Sequence, residues 1–268
     1  MKTNITGIRR HSHEERLRMV EQLVEFWQKK FADNLLGVAI GASVARGEDQ
    51  AYSDLELDVF LREKPAKREE QYLQRVVDGM LIEAIYHTPE EYIKERETIP
   101  YHWHLSASDQ WTVVYNPVFF DEFKDKLSAI HYSDADFISA ATRKRYQLQE
   151  SFCKVLNAVE VNNREGISLL LMDAALNLLE VLAYLNQQPF TTFSRYISQA
   201  KEFTIKPDRL DDFLDLLVNG TYQDLPMVRE VSLKVFTSLE KIFRDHRIEL
   251  FNDELDPKLL NRSTIIPE

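Results

Sequence analysis

The sequence predicts an α+β fold. An N-terminal domain with a mixed β-sheet and flanking helices is expected over residues 1–130, and an all-α helical bundle over residues 131–268. Two patterns carry this expectation. Before Pro117, short apolar or alternating runs are interspersed with segments of helical periodicity, whereas after Asp134 the helical period is unbroken except by turn-forming clusters. A 44% hydrophobic composition over 268 residues supplies enough apolar surface for two cores.

The elements follow in order. From His11 to Phe31, Leu17, Val20, Leu23, Val24 and Trp27 recur at helical spacing, and "ADNL" ends the pattern. "LLGVAIGA" reads as a buried strand, the next stretch as a turn, and Leu55 to Leu61 as a second strand. After "REKPAK" a helical pattern runs through Val77, then "GMLIEAIYH" forms a third strand. Thr88 and Pro89 suit the cap and first position of a short helix, and "QWTVVYN" is a fourth strand. "FFDEFKDKLSAI" opens the helical part, which amounts to about five further helices with turns near "VNNREG", "NQQP" and "VNGTYQDLP".

Composition removes several classes of function. A formal charge of −11 opposes general binding to nucleic-acid phosphates, and the basic clusters "KPAKREE" and "TRKRY" read as solvated helix faces. No run of about 18 apolar residues appears, and "MKTNITGIRRHSHEER" lacks the apolar stretch of a signal peptide, so a cytoplasmic protein without membrane contact is expected. The single cysteine, Cys153, makes neither an internal disulfide nor a multi-thiolate metal site.

The most informative stretch is "GASVARGEDQAYSDLELDVFL". On a strand, Asp54, Glu56 and Asp58 project to one face and Leu55, Leu57 and Val59 to the other. A solvated face is the plain explanation for such a row, but three features point toward a site. Small residues, Ser43 and Arg46 occupy the turn before the acids, as a chain approaching phosphate oxygens requires, although neither the P-loop nor the G-x-G-x-x-G pattern is present. Glu83 sits inside the apolar run "MLIEAIY", where it is either an edge-strand residue facing solvent or a third acid converging on a divalent cation. Glu150 and Lys154 lie four apart on one helix face.

Together these residues resemble the polymerase-β-like nucleotidyltransferase superfamily, with "ASVARG" as the serine-bearing turn and "SDLEL" as the D-h-[DE] strand. More narrowly the chain is similar to the kanamycin nucleotidyltransferase family along nearly its whole length, through "HEERLRMVEQL", "YSDLEL", "IEAIY", "HWHL", "LQESFCK" and "QQPFTTFSRYISQA". The resemblance implies magnesium ligands at Asp54, Glu56 and Glu83, phosphate contacts from Ser43 and Arg46, and a general base at Glu150. It also implies a phosphate-contacting lysine at Lys154 and nucleotide contacts from Thr191 and Thr192. ATP would be the co-substrate, and the protein a homodimer in which one chain's helical domain completes the other's active site.

The chain departs from the family pattern at Ala42, where glycine is usual, at Tyr101, where a serine touches the nucleotide, and at Tyr146 and Gln147, which replace acids that bind a polycationic antibiotic. Asp58 matches no family position and reads as a solvated acid or one that supports the site. His102 and His104 form an H-x-H pair on an expected strand, more consistent with packing or pocket lining than with zinc. Asp173, Asn177 and Glu180 follow i, i+4, i+7 on an apolar helix, where such groups bond to a neighbouring helix or face a pocket. Two functions follow as expectations. One is an adenylyltransferase acting on a small hydroxylated acceptor, such as an aminoglycoside or another antibiotic, with a resistance role. The other is a non-catalytic nucleotide binder or a protein-directed, antitoxin-like relative.

Overall fold

The computed structural model describes residues 7–105 and 110–251, and the chain divides into two compact units, Met1–Tyr132 and Ser133–Glu268. The first unit is built on a five-stranded mixed sheet. Its strands are β1 (Leu35–Ile40), β2 (Leu55–Leu61), β3 (Tyr72–Val77), β4 (Met80–His87) and β5 (Thr112–Tyr115), and their spatial order is β3-β4-β2-β1-β5. The β2–β4 pair is parallel, and the other pairs are antiparallel.

One sheet face is apolar because every second residue of β2 and β4 is apolar. Leu55, Leu57, Val59 and Leu61 join Ile82, Ala84 and Tyr86 in a core that also holds Val20, Leu23 and Trp27 of α1 (His13–Phe31). Ser12 starts α1 with a capping box to Glu15, and the buried Trp27 indole donates to the Tyr86 hydroxyl at 3.0 Å. The opposite face carries Glu56, Asp58 and Phe60 in a row, and Phe60 is enclosed by Tyr92 of α3 (Pro89–Arg96) and by Phe120 and Phe123 of α4 (Pro117–Ser128). That packing needs a residue without a side chain at Gly37, since a Cβ there would come within 2.6 Å of the Phe120 ring.

Three expectations are corrected here. The stretch through Val77 is strand, not helix. Asp78 and Gly79, with φ of 49° and 77°, form a two-residue turn that folds Tyr72–Val77 back on β4. An Asp-Gly turn between apolar residues is a strong hairpin signal, and the twist of two positive-φ residues decides the pairing over the ambiguous period of "YLQRVV". "KPAKREE" therefore lies in a loop ending in a 3-10 turn, Arg68–Glu70, rather than on a helix. His102 and His104 lie in a turn and short 3-10 segment, so they share no strand face.

The second unit is helical throughout the described residues. It comprises α5 (Asp134–Glu160), α6 (Ile167–Asn186), α7 (Tyr196–Lys201), α8 (Leu210–Val218) and α9 (Leu225–Asp245). Ser133 caps α5 through a capping box with Asp136, and Asp224 caps α9 ahead of a proline in its first turn. By length and composition α6 could span a membrane, but most of it is buried within the helical unit.

The polar residues on these helices take separate roles. Glu180 is buried and bonds to Lys144 of α5 at 2.8 Å and to the Tyr184 hydroxyl at 3.0 Å. Lys144 is thus a core ion-pair residue, not part of a solvated "TRKRY" face. Asn177 instead donates to the backbone carbonyl of Asp173 one turn earlier.

Candidate active site

The site begins at the link between β1 and β2. Gly41 donates its N–H to the Glu56 carbonyl at 3.0 Å, and the chain then turns through the short helix α2 (Ala42–Ala45). Ala42 has φ of 50°, a left-handed conformation that costs an L-residue roughly 1–2 kcal/mol and glycine almost nothing. The departure from glycine at this position therefore leaves local strain within the turn. Ser43 stands in the first turn of α2, and Arg46 follows at its end. The Arg46 Nε donates to Glu48 at 2.9 Å, while its Nη1 is buried without a hydrogen-bond partner among the described residues. A buried guanidinium N–H with no acceptor is costly, and a ligand oxygen would relieve that cost.

Residues 47–53 run from Arg46 to the acids, and their position is fixed from outside the segment. Arg16, buried on α1, donates to Asp49 at 2.9 Å, to the Gln50 carbonyl at 2.7 Å and to the Ser53 carbonyl from both Nη2 and Nε. His13 reaches the other Asp49 oxygen at 2.7 Å. These contacts fix the residue next to Asp54, and no pattern of apolar period or charge spacing announced them. The one legible sign was an arginine on the otherwise apolar face of α1, at position 16.

Glu56 pairs in register with Glu83 across the parallel β2–β4 ladder, so their side chains project from the same face. β4 is an interior strand, covered on its other side by β3. The reading of Glu83 as an edge residue is therefore excluded. Glu83 accepts a hydrogen bond from Gln74 of β3, and Asp54 and Glu83 line one groove of about 480 Å³ with Gln74 and Arg75. Burial, together with the charges of Asp54, Glu83 and Asp58, pushes the Glu56 carboxyl up to about 7, and the Arg46 charge acts in the opposite direction.

Among the described residues, no group of three or more His, Cys, Asp or Glu side chains is placed so that it could hold a metal ion by itself. The donor set nevertheless fits a magnesium-type ion. Such an ion takes oxygen ligands only, keeps several waters and needs one or two carboxylates plus phosphate oxygens rather than a complete protein cage. Asp54, Glu56 and Glu83 would supply the carboxylates, and the unpartnered Arg46 Nη1 would suit a phosphate.

Asp58 is not solvated. Its two oxygens accept from the Trp111 indole N–H at 2.7 Å and from His87 Nε2 at 2.9 Å. His87 ends β4, and sequence reading passed over both partners because one lies 29 and the other 53 positions away.

The remaining expected residues belong to the second unit. Glu150 and Lys154 form an i,i+4 pair at 3.2 Å on α5, both about half exposed. The Thr191 N–H donates to Gln199 Oε1 at 3.0 Å, and Thr192 precedes the 3-10 turn Phe193–Arg195.

Compared with known proteins, residues 119–249 match the family model of the KNTase C-terminal domain. None of the curated proteins matches the chain. Among solved structures, the chain is similar to a nucleotidyltransferase-like protein from Exiguobacterium sibiricum 255-15. The identity is 11% and the TM-score 0.46, over 88% of this chain and 81% of that one.

Proposed function

We propose, for a chain that carries the C-terminal domain of the kanamycin nucleotidyltransferase family, that it transfers AMP from ATP to a hydroxyl of a small molecule, releasing pyrophosphate. The observation that carries this reading is the pairing of Glu56 with Glu83, beside Asp54, on a face where carboxylates are in electrostatic excess. Magnesium, when bound, would supply charge stabilisation for the attacking and leaving oxygens.

The chain's own residues take the following parts. Asp54, Glu56 and Glu83 hold the cation, and Ser43 and Arg46 contact the phosphates. Glu150 accepts the proton of the acceptor hydroxyl as its oxygen attacks the α-phosphorus. Lys154 offsets charge on the phosphates, and Thr191 and Thr192 bear on the nucleotide. The working form is a homodimer in which each helical unit serves its partner's acids, in the reducing cytoplasmic setting that suits the lone, exposed Cys153. Aminoglycosides and other antibiotics, the acceptors that the family resemblance implies, make the first panel to test, and resistance would be the matching role.

The test is pyrophosphate release from magnesium ATP across aminoglycosides, lincosamides and no acceptor, with calorimetric titration of magnesium ATP alongside. Acceptor-dependent release, lost together with nucleotide binding in Asp54→Asn, supports the reading. Magnesium ATP binding that is unchanged in Asp54→Asn overturns it. Nucleotide binding without release for any acceptor would favour the non-catalytic or protein-directed relative.

A further inference from the structure

A cavity of about 720 Å³ opens in the first unit next to the acids, within the range of about 300–1,000 Å³ that small-molecule sites occupy. Its polar end is formed by Asp58 and His87, and its walls include the rings of Tyr92, Tyr101, Trp103 and Tyr132. Asp58 lies two residues beyond Glu56 on the same strand face, a rise of roughly 7 Å, so an occupant of the cavity sits beside the carboxylates.

The hydrogen bonds define what the polar end can recognise. A carboxylate only accepts, so with the Trp111 indole on one oxygen, the His87 bond to the other requires the proton on Nε2. In the neutral ring this leaves Nδ1 as an acceptor, and no described residue donates to it. The ring is held in place by Phe60 at 5.5 Å and by the edge of Tyr92 at 5.0 Å. Two features of the lining favour a neutral occupant over a polycation. Asp58 already takes two N–H donors, and the Arg96 guanidinium, stacked 3.4 Å over the Tyr92 ring, lines the same space as Glu95.

We infer that this cavity is the acceptor subsite, in which His87 Nδ1 accepts a hydrogen bond from a hydroxyl of a neutral, ring-bearing polyol whose ring stacks on the aromatic wall. Asp58 and Trp111 act as positioning residues for His87. The assignment of the occupant as the acceptor rests on the proposed AMP transfer, but binding to the cavity does not.

The probe is phenyl β-D-glucoside, titrated into the full chain without ATP or magnesium and followed by saturation-transfer NMR, with spermine as the polycationic control. Saturable glucoside binding is expected in the wild type, at least tenfold weaker in His87→Phe and several-fold weaker in Trp111→Phe, with spermine failing to compete. In parallel, ¹⁵N shifts of His87 in the wild-type protein should show the Nε2–H form, with the Nδ1 signal moving on addition of the glucoside. This second measurement does not depend on any variant folding. Undiminished binding in His87→Phe, no saturable binding in the wild type, competition by spermine, or an Nδ1–H ring would each overturn the inference. Glucoside binding that passes these tests while no acceptor yields pyrophosphate would count against AMP transfer alone. Acceptor-dependent release with a cavity indifferent to His87→Phe would count against the subsite alone.

Discussion

Glu56 stands opposite Glu83 in the parallel β2–β4 ladder, two like charges paired in register on the half-buried face of a sheet. Proteins avoid this arrangement unless something positive shares the face, because like charges directly opposite each other destabilise a sheet. Here the Arg46 charge acts against the raised Glu56 carboxyl, and Arg75 lines the groove beside Asp54 and Glu83.

A pH dependence follows. In the ligand-free protein the Glu56 carboxyl titrates at about 7 rather than at its usual 4.5, so the folded state holds a proton that the unfolded chain releases earlier. Folding stability contributed by this group is therefore full below about pH 4.5 and falls as pH rises to about 7, by a total on the order of 2 kcal/mol once solvent screening is allowed for. Denaturant melts of the first unit between pH 5 and 8 should show the decline, and millimolar magnesium should reduce it. A flat profile without magnesium would show that Glu56 is solvated.

Replacing Glu150 by Gln removes a proton acceptor but keeps shape and hydrogen-bonding reach. Turnover with a productive acceptor should fall by about 10² to 10⁴, while magnesium ATP affinity stays within about twofold of wild type. Steady-state rates beside calorimetric titration separate the two effects, and near-normal turnover would remove Glu150 from the role of base.

Ala42→Gly should stabilise the first unit by about 1 kcal/mol, since glycine adopts the left-handed conformation at residue 42 without the Cβ penalty. Chemical denaturation measures the gain. A loss instead would mean that the larger unfolded-state entropy of glycine outweighs the relieved strain.

Arg16→Met deletes the donors that hold residues 47–53 and leaves the buried Asp49 without its guanidinium partner, with the hydrogen bond to His13 remaining. A cost of about 3–5 kcal/mol is expected, with faster amide exchange concentrated at residues 47–53. Adding Asp49→Asn to Arg16→Met should restore part of the loss, because the buried unpaired charge is then gone. Purely additive effects would show that the two side chains do not act as a pair.

Much of the architecture was legible because it depends on local periods. The alternation in "LELDVFL" placed Glu56 and Asp58 on one face of β2, and the helical spacing of Val20, Leu23 and Trp27 defined the buried stripe of α1. The same periodicity misled at "YLQRVV", where a two-residue Asp-Gly turn overrode it and added a fifth strand.

The two-part fold class and the row of acids follow from local pattern, since side-chain alternation and helical period act over a few residues. Which distant groups complete that row depends on the packing of the folded chain. Glu83 comes into register with Glu56 through a parallel crossover, Arg16 holds the approach to Asp54 from another helix, and Trp111 and His87 turn Asp58 from a solvated acid into the end of a cavity. Those pairings are set by strand register and by the burial of polar groups that must find partners, and neither is written in the spacing of neighbouring residues.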